Sequence, residues 1–182
     1  MKSFRFFLLF SLVPLFSGAQ IFFSKTSSFS IFSESPVENI DAVNTAAKVV
    51  LNTATGDVQV RVPIRSFKFK KPLMEEHFNE NYMESEKFPN AEFKGKINEK
   101  VDYKKDGEYK VTVTGKLTIH GVVKERTIEG KITIKGDEIT ISTTFMVHIA
   151  DHNIEIPSVV VKNIAEDVKV TVSSVLEPFK KK

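Results

Sequence analysis

Residues 66–95 read SFKFKKPLMEEHFNENYMESEKFPNAEFKG, and here the pattern of the chain changes. On either side apolar and polar residues alternate, as in β-strands. Within the stretch, Leu73 or Met74, then Phe78 and Tyr82 recur at i, i+4, i+8 spacing, with Glu75, Glu76, Asn79, Glu80 and Glu84 filling the other side. Pro72 suits a first helical position and Pro89 closes the segment. The spacing predicts one short amphipathic helix laid across an otherwise all-β chain. Such a helix either closes one end of a barrel or sandwich or forms the mouth of a cavity.

Just upstream, Val58, Val60, Val62 and Ile64 put four aliphatic side chains on one face of a half-buried strand. Phe67 and Phe69 fall on the opposite parity, so the register slips near Arg65-Ser66, most simply by a β-bulge. Further back, Ile21 to Ser35 reads as a first strand with Phe29 and Ile31 alternating, ending at Pro36. Ile40 to Ala47 fits either a short helical turn capped by Asp41 or a strand through Ala42 and Asn44. Lys48 to Asn52 is a strand that turns at Thr55-Gly56-Asp57.

Downstream the pattern is a meander. Phe93, Gly95, Ile97, Val101 and Tyr103 share a parity and run into Asp106-Gly107, a hairpin signal. Tyr109 to Ile119 returns, His120-Gly121 turns or bends it, and a further hairpin follows at Gly136-Asp137. Ile139 to Ile149 forms the next strand, and the last carries Val168, Val170, Val172 and Leu176 on one face. Roughly eight antiparallel strands with tight turns favour a closed barrel, because closure removes exposed edges. A barrel of that size fills its interior with side chains or holds one small ligand, and periodicity leaves both open.

The first nineteen residues stand apart. Lys2 and Arg5 precede the apolar run Phe6 to Phe16, and Ser17 and Ala19 supply small residues for cleavage. That is the pattern of a secretory signal peptide over 1–19, leaving 20–182 as one domain in the periplasm or outside the cell. With no Cys there is neither a thiol-linked lipid anchor nor a disulfide, so the apolar core alone must hold the domain. No other stretch approaches the length of a membrane span. Removing Lys2 and Arg5 takes two positive charges from a formal net charge of +3, and the rest of the excess gathers in the Lys180-Lys181-Lys182 tail. That distribution gives no support to nucleic-acid binding.

The polar residues give no positive sign of catalysis or metal binding. His148 and His152 are spaced HxxxH, but on a strand that spacing separates them by roughly 13 Å, too far for one ion. His77 beside Glu75 and Glu76 lacks the HExxH order and suits the helix edge at the barrel rim. No G-x-S-x-G elbow and no Gly-rich phosphate loop occurs. Neither a catalytic group nor a metal or other cofactor is expected.

Two segments resemble the markers of a known family. LTIHGVVKERTIEG, Leu117 to Gly130, is similar to the L-T-I-H-G-V-T-K signature of the YceI-like family of exported bacterial proteins. HFNENYMESEKFPNAEFKGKI, His77 to Ile97, resembles its other marker, a short helix followed by an aromatic-Pro and x-Phe-x-Gly run into a strand. The chain departs from the family in the late stretch FMVHIADHNIEIPSVV, Phe145 to Val160, and in having no Trp. The resemblance implies an eight-stranded antiparallel lipocalin-like β-barrel whose long apolar pocket takes a polyisoprenoid or similar lipid, with no cofactor and no reaction. The residues expected to line that pocket are Phe67, Phe69, Leu73, Met74, Phe78, Tyr82, Phe88, Phe93, Leu117, Ile119 and Phe145. His120 is the candidate for a polar headgroup contact, and the helix residues would gate the pocket. The partner so implied is an apolar lipid, and the reading admits a homodimer. Two alternatives stand beside it: a filled barrel acting through its surface in the cell envelope, and an enzyme using His120, His148 or Asp151.

Overall fold

The computed structural model describes residues 21–34, 39–155 and 166–179. The signal segment, the strand end at Pro36, residues 156–160 of the late stretch and the lysine tail lie outside them. Ten strands form one sheet: β1 (Ile21–Ser33), β2 (Ile40–Asn44), β3 (Lys48–Asn52), β4 (Asp57–Pro63), β5 (Phe67–Phe69), β6 (Asn90–Ile97), β7 (Gly107–Ile119), β8 (Val122–Lys135), β9 (Glu138–His148) and β10 (Asp167–Pro178). Eight of them close a ring in the order β1-β3-β4-β6-β7-β8-β9-β10 and back to β1, every pair antiparallel. The closing seam joins Phe22 through Phe32 to Pro178 through Lys169, with a bulge between Ser24 and Thr26. Across it the buried Ser27 and Ser174 hydroxyls share a hydrogen bond of 2.8 Å, so neither is left unpaired inside.

The short strands extend the wall at one end. β1 is long enough to pair β3 with its first residues and β2 with Phe29–Ser33, while β5 adds to β2. Asn44, fully buried, holds this step together: its amide nitrogen donates to the Pro63 carbonyl at 2.8 Å, and its side-chain oxygen accepts from the Ala46 and Ala47 amides. The segment from Ile40 is therefore a strand and not a helical turn. The slip before Phe67 is made by a 3₁₀ turn over Ile64–Ser66 instead of the expected bulge. Ile64 stays buried within that turn, and Phe67 comes out facing inward.

The predicted helix is present but mixed. α1 (Pro72–His77) runs straight into a wider π turn over Phe78–Tyr82, which the Met83 amide closes by donating to the Phe78 carbonyl at 2.9 Å. His120-Gly121 forms a two-residue hairpin turn with φ of 50° and 73°. That left-handed pair is the geometry the twist of two long strands demands. The expected hairpin at Asp106-Gly107 is absent, because β6 pairs β7 only from Glu92–Thr118 to Ile97–Val113. The intervening residues 98–106 instead fold back over the barrel end. Val101 and Tyr103 pack against the core there, and burial pushes the Tyr103 phenol up to about 12.

The two ends of the barrel differ. At the lower end, under the 98–106 loop and the Gly136-Asp137 turn, Leu51, Ile132, Ile134, Ile139 and Leu176 are all but inaccessible to solvent. The upper end carries the helix, the His120-Gly121 turn and a 3₁₀ turn over Ile149–His152. There many inward-facing residues, among them Ile31, Phe69, Val113, Phe145 and Val170, are only half-buried. They face a hollow.

Candidate functional site: an apolar cavity under the helix

The hollow measures about 490 Å³, within the range of small-molecule sites. Its walls come from alternate residues of the strands, which is what the period of two dictates for a barrel interior. Phe29 and Ile31 of β1, Val58, Val60 and Val62 of β4, and Val168, Val170 and Val172 of β10 all line it. The sequence reading did not name these as pocket residues, although their parity marks them as inward.

Of the expected lining residues, Phe67, Phe69, Met74, Phe78, Tyr82, Phe93, Leu117, Ile119 and Phe145 stand at the cavity wall. Leu73, Phe88 and His120 do not. Leu73 is 59% exposed on the outer side of α1, which leaves Met74 as the inward member of that pair. The π turn sets the cavity side of the helical segment: Phe78 packs on Phe67 and Phe69 with ring centroids at 5.5 and 5.0 Å, and Tyr82 and Met83 follow it inward. Burial raises the Tyr82 phenol, so it is neutral at the cavity wall.

The helix is fastened on both sides. Glu75 bonds the Lys68 ammonium and accepts from the Phe69 amide at 3.3 Å, serving the edge of β5. The Lys68 hydrogen bond holds the Glu75 carboxyl below its usual range, partly opposed by burial. At the far end Arg65 donates to Ser85 and pairs with Glu86 at 3.0 Å. Glu84 meets His120 Nε2 at 2.8 Å, while His120 Nδ1 donates to the His152 carbonyl at 3.2 Å. The Phe88 ring packs edge-on to the His120 ring at 4.5 Å. A Cβ on Gly121 would lie 2.5 Å from Phe88, so the two segments that resemble family markers press directly on one another. His120 thus clamps the helix to the β7–β8 turn.

The remaining histidines belong to other surroundings. His148 pairs with Asp167 at 3.1 Å, and His152 is fully buried. Burial lowers the His152 pKa, opposed in part by backbone carbonyls such as that of Val122, which accepts from its Nδ1. Asp151 is exposed. Among the described residues no group of three or more His, Cys, Asp or Glu could hold a metal ion.

The wall is not continuous. β8 and β9 are paired only from Lys131–Ser142 to Lys135–Glu138. Above Lys131, β8 pairs only with β7, and above Ser142, β9 pairs only with β10. Two side chains bridge the gap: Arg126 donates to the Met146 carbonyl at 2.7 Å, and Thr143 Oγ1 donates to the Glu129 carbonyl.

The YceI-like domain family model matches residues 17–176. The chain belongs to the YceI-like family. Solved structures carry the same fold as this YceI-like chain. A polyisoprenoid binding domain from Saccharophagus degradans, implicated in plant cell wall breakdown, is 14% identical with a TM-score of 0.75, over 87% of this chain and 98% of that one. BcnA of Burkholderia cenocepacia is 19% identical with a TM-score of 0.69, over 82% and 95% of the two chains. A YceI protein of Campylobacter jejuni is 20% identical with a TM-score of 0.57, over 75% and 81%. No curated protein sequence matches the chain.

The Phe-x-Gly element of the YceI-like marker has a physical basis here. Gly95 on β6 lies opposite Gly115 on β7, and a Cβ on Gly115 would come within 2.4 Å of the Gly95 Cα and the Lys94 carbonyl. The Phe93 ring covers Gly95, occupying the space its side chain would need.

Proposed function

We propose that this chain holds an elongated apolar molecule of isoprenoid type in the upper half of its barrel, outside the cytoplasm and without catalysing a reaction on it. The observation that carries the reading is the 490 Å³ hollow lined by Phe29, Phe67, Phe93, Phe145 and the aliphatic face of β10, above a filled lower half. Apolar surface withdrawn from water stabilises a complex by about 25 cal/mol per Å², so such a site binds a hydrocarbon chain with few polar contacts. The likeness to a solved polyisoprenoid binding domain supports the ligand class. Phe67, Phe69, Met74, Phe78, Tyr82, Phe93, Leu117, Ile119 and Phe145 are the proposed contacts, and the helix the proposed cover. Extracytoplasmic location rests on the signal-like residues 1–19. Among the described residues no helix is long and apolar enough to cross a membrane.

Native mass spectrometry of protein taken from its own cell envelope tests the reading. A bound species extractable into organic solvent is expected, together with an N-terminus near Gln20. Apoprotein alone, with no uptake of added prenyl lipid, would count decisively against it.

A further inference from the structure

Inward-facing side chains alone line a closed barrel wall. At the β8–β9 gap both parities do: Ile128, Gly130 and Thr143 from the inner face, and Glu129, Lys131 and Ser142 from the outer. With no rungs joining the strands above Lys131 and Ser142, the cavity reaches through the wall at this place. Four of the polar residues at the cavity wall, Glu129, Lys131, Ser142 and Thr143, are gathered there. Gly130 sits at the point where the strands part, and a Cβ on it would meet the Ser142 carbonyl at 3.0 Å. Outside, Val123 on β8 and Met146 on β9 are 53% and 45% exposed. On the inner parity above Ile128, β8 carries Arg126 and Lys124 where an apolar wall would continue. His120, by contrast, has both ring nitrogens engaged by Glu84 and the His152 carbonyl.

We infer that the β8–β9 gap is the side portal of the cavity and the seat of the ligand's polar end, and that this end is an uncharged hydroxyl-bearing group, as in a prenyl alcohol. The inference rests on the lipid-binding reading above. An apolar chain slides in sideways between the strands, and its head stays at the gap beside the Thr143 hydroxyl and the edge residues Glu129 and Ser142. A phosphate head is disfavoured. Of the cations at the gap, Lys131 is already paired with Glu108 at 2.7 Å and Arg126 is engaged by the Met146 carbonyl at 2.7 Å, and Glu129 adds a negative charge beside them. The Arg126–Met146 and Thr143–Glu129 hydrogen bonds act as stitches where backbone rungs are missing, and they can open without breaking the ladder below.

The chain has no cysteine, so a disulfide can be placed across the gap cleanly. Continuing the Lys131–Ser142 register puts Thr127 opposite Met146. In the full chain carrying T127C and M146C, uptake of the neutral dye N-phenyl-1-naphthylamine and its displacement by farnesol are followed with the bond oxidised and reduced. Oxidation should slow exchange at least tenfold and reduction restore it, with farnesol displacing dye better than farnesyl phosphate. Equal rates in both redox states would overturn the portal while leaving the lipid-binding reading intact. Better displacement by farnesyl phosphate would overturn the uncharged head. Failure of both dye and farnesol to bind in either state would remove the lipid-binding reading and this one with it. If the disulfide does not form, Arg126→Met removes one stitch alone. Faster dye exchange is then expected, and an unchanged rate counts against the portal.

Discussion

At the scale of single residues, the facing glycines of β6 and β7 are the most constrained points in the wall. Gly115→Ala forces a methyl into the Gly95 backbone, and overpacking of this kind costs about 1–3 kcal/mol. Urea denaturation should show that loss, whereas Gly136→Ala, with nothing within 4 Å of its added Cβ, should be limited to the cost of its φ of 58°. His152 gives a pH signature. Its pKa in the fold lies below the ordinary 6.5, lowered by burial, with Asp151 raising and Lys124 lowering it further. The unfolded chain therefore takes up the proton first. Stability is full above about pH 6.5 and declines as pH falls from there toward the lower folded value. His152→Gln should flatten the fall of the denaturation midpoint below about pH 6.5, even if the variant is less stable throughout; an unchanged slope would assign the titration elsewhere. Neither constraint is visible in the sequence. A glycine in a strand signals a close approach without naming its partner, and His152 looks like any polar residue after a strand.

At the scale of elements, the helix was legible from the i, i+4, i+8 spacing of Met74, Phe78 and Tyr82, and so was its place against Phe67 and Phe69. Its π turn was not, because the spacing of apolar residues does not distinguish a widened turn from a regular one. The hairpin at Gly136-Asp137 was legible from its glycine, and at His120-Gly121 the same signal left a turn or a bend open, which the structure resolves as a hairpin. Asp106-Gly107 carried the same signal but lost to tertiary packing, since Val101 and Tyr103 gain more by covering the barrel floor than by extending β6. The gap between β8 and β9 left one trace: Lys124 and Arg126 stand where the inward parity calls for apolar side chains. Glu75→Ala tests how the helix is held. Lys68 is 70% exposed, so the ion pair contributes at most about 1 kcal/mol to stability. The larger effect should be local, a faster exchange of the Phe69 amide proton measured by NMR. Unaltered exchange at Phe69 would mean that the aromatic packing of Phe78 alone secures the helix.

At the scale of the whole molecule, the alternating strands announced the barrel, but which strands meet was beyond them: the contact of β1 with β10 links the two ends of the domain. Nor did periodicity tell a filled interior from a hollow one, because inward residues alternate in both. The division between the two halves predicts a contrast. Ile139→Ala, in the packed lower end away from the hollow, should cost roughly 2–5 kcal/mol, and Phe145→Ala, beside the hollow, less than the roughly 3–5 kcal/mol of a fully packed phenylalanine. Equal, large losses in chemical denaturation would indicate that the upper half is as tightly packed as the lower. The closing seam has a consequence for how the molecule is made. Ser27 and Ser174 are 147 positions apart, and the Phe179 amide reaches back to the Ile21 carbonyl at 2.7 Å. A chain that emerges from its amino end thus holds β1 with one long edge unmet until the last strand arrives. Folding must be slow to finish, as contacts of such separation dictate. For the export proposed above, a threadable, unclosed chain is what passage through a membrane channel requires.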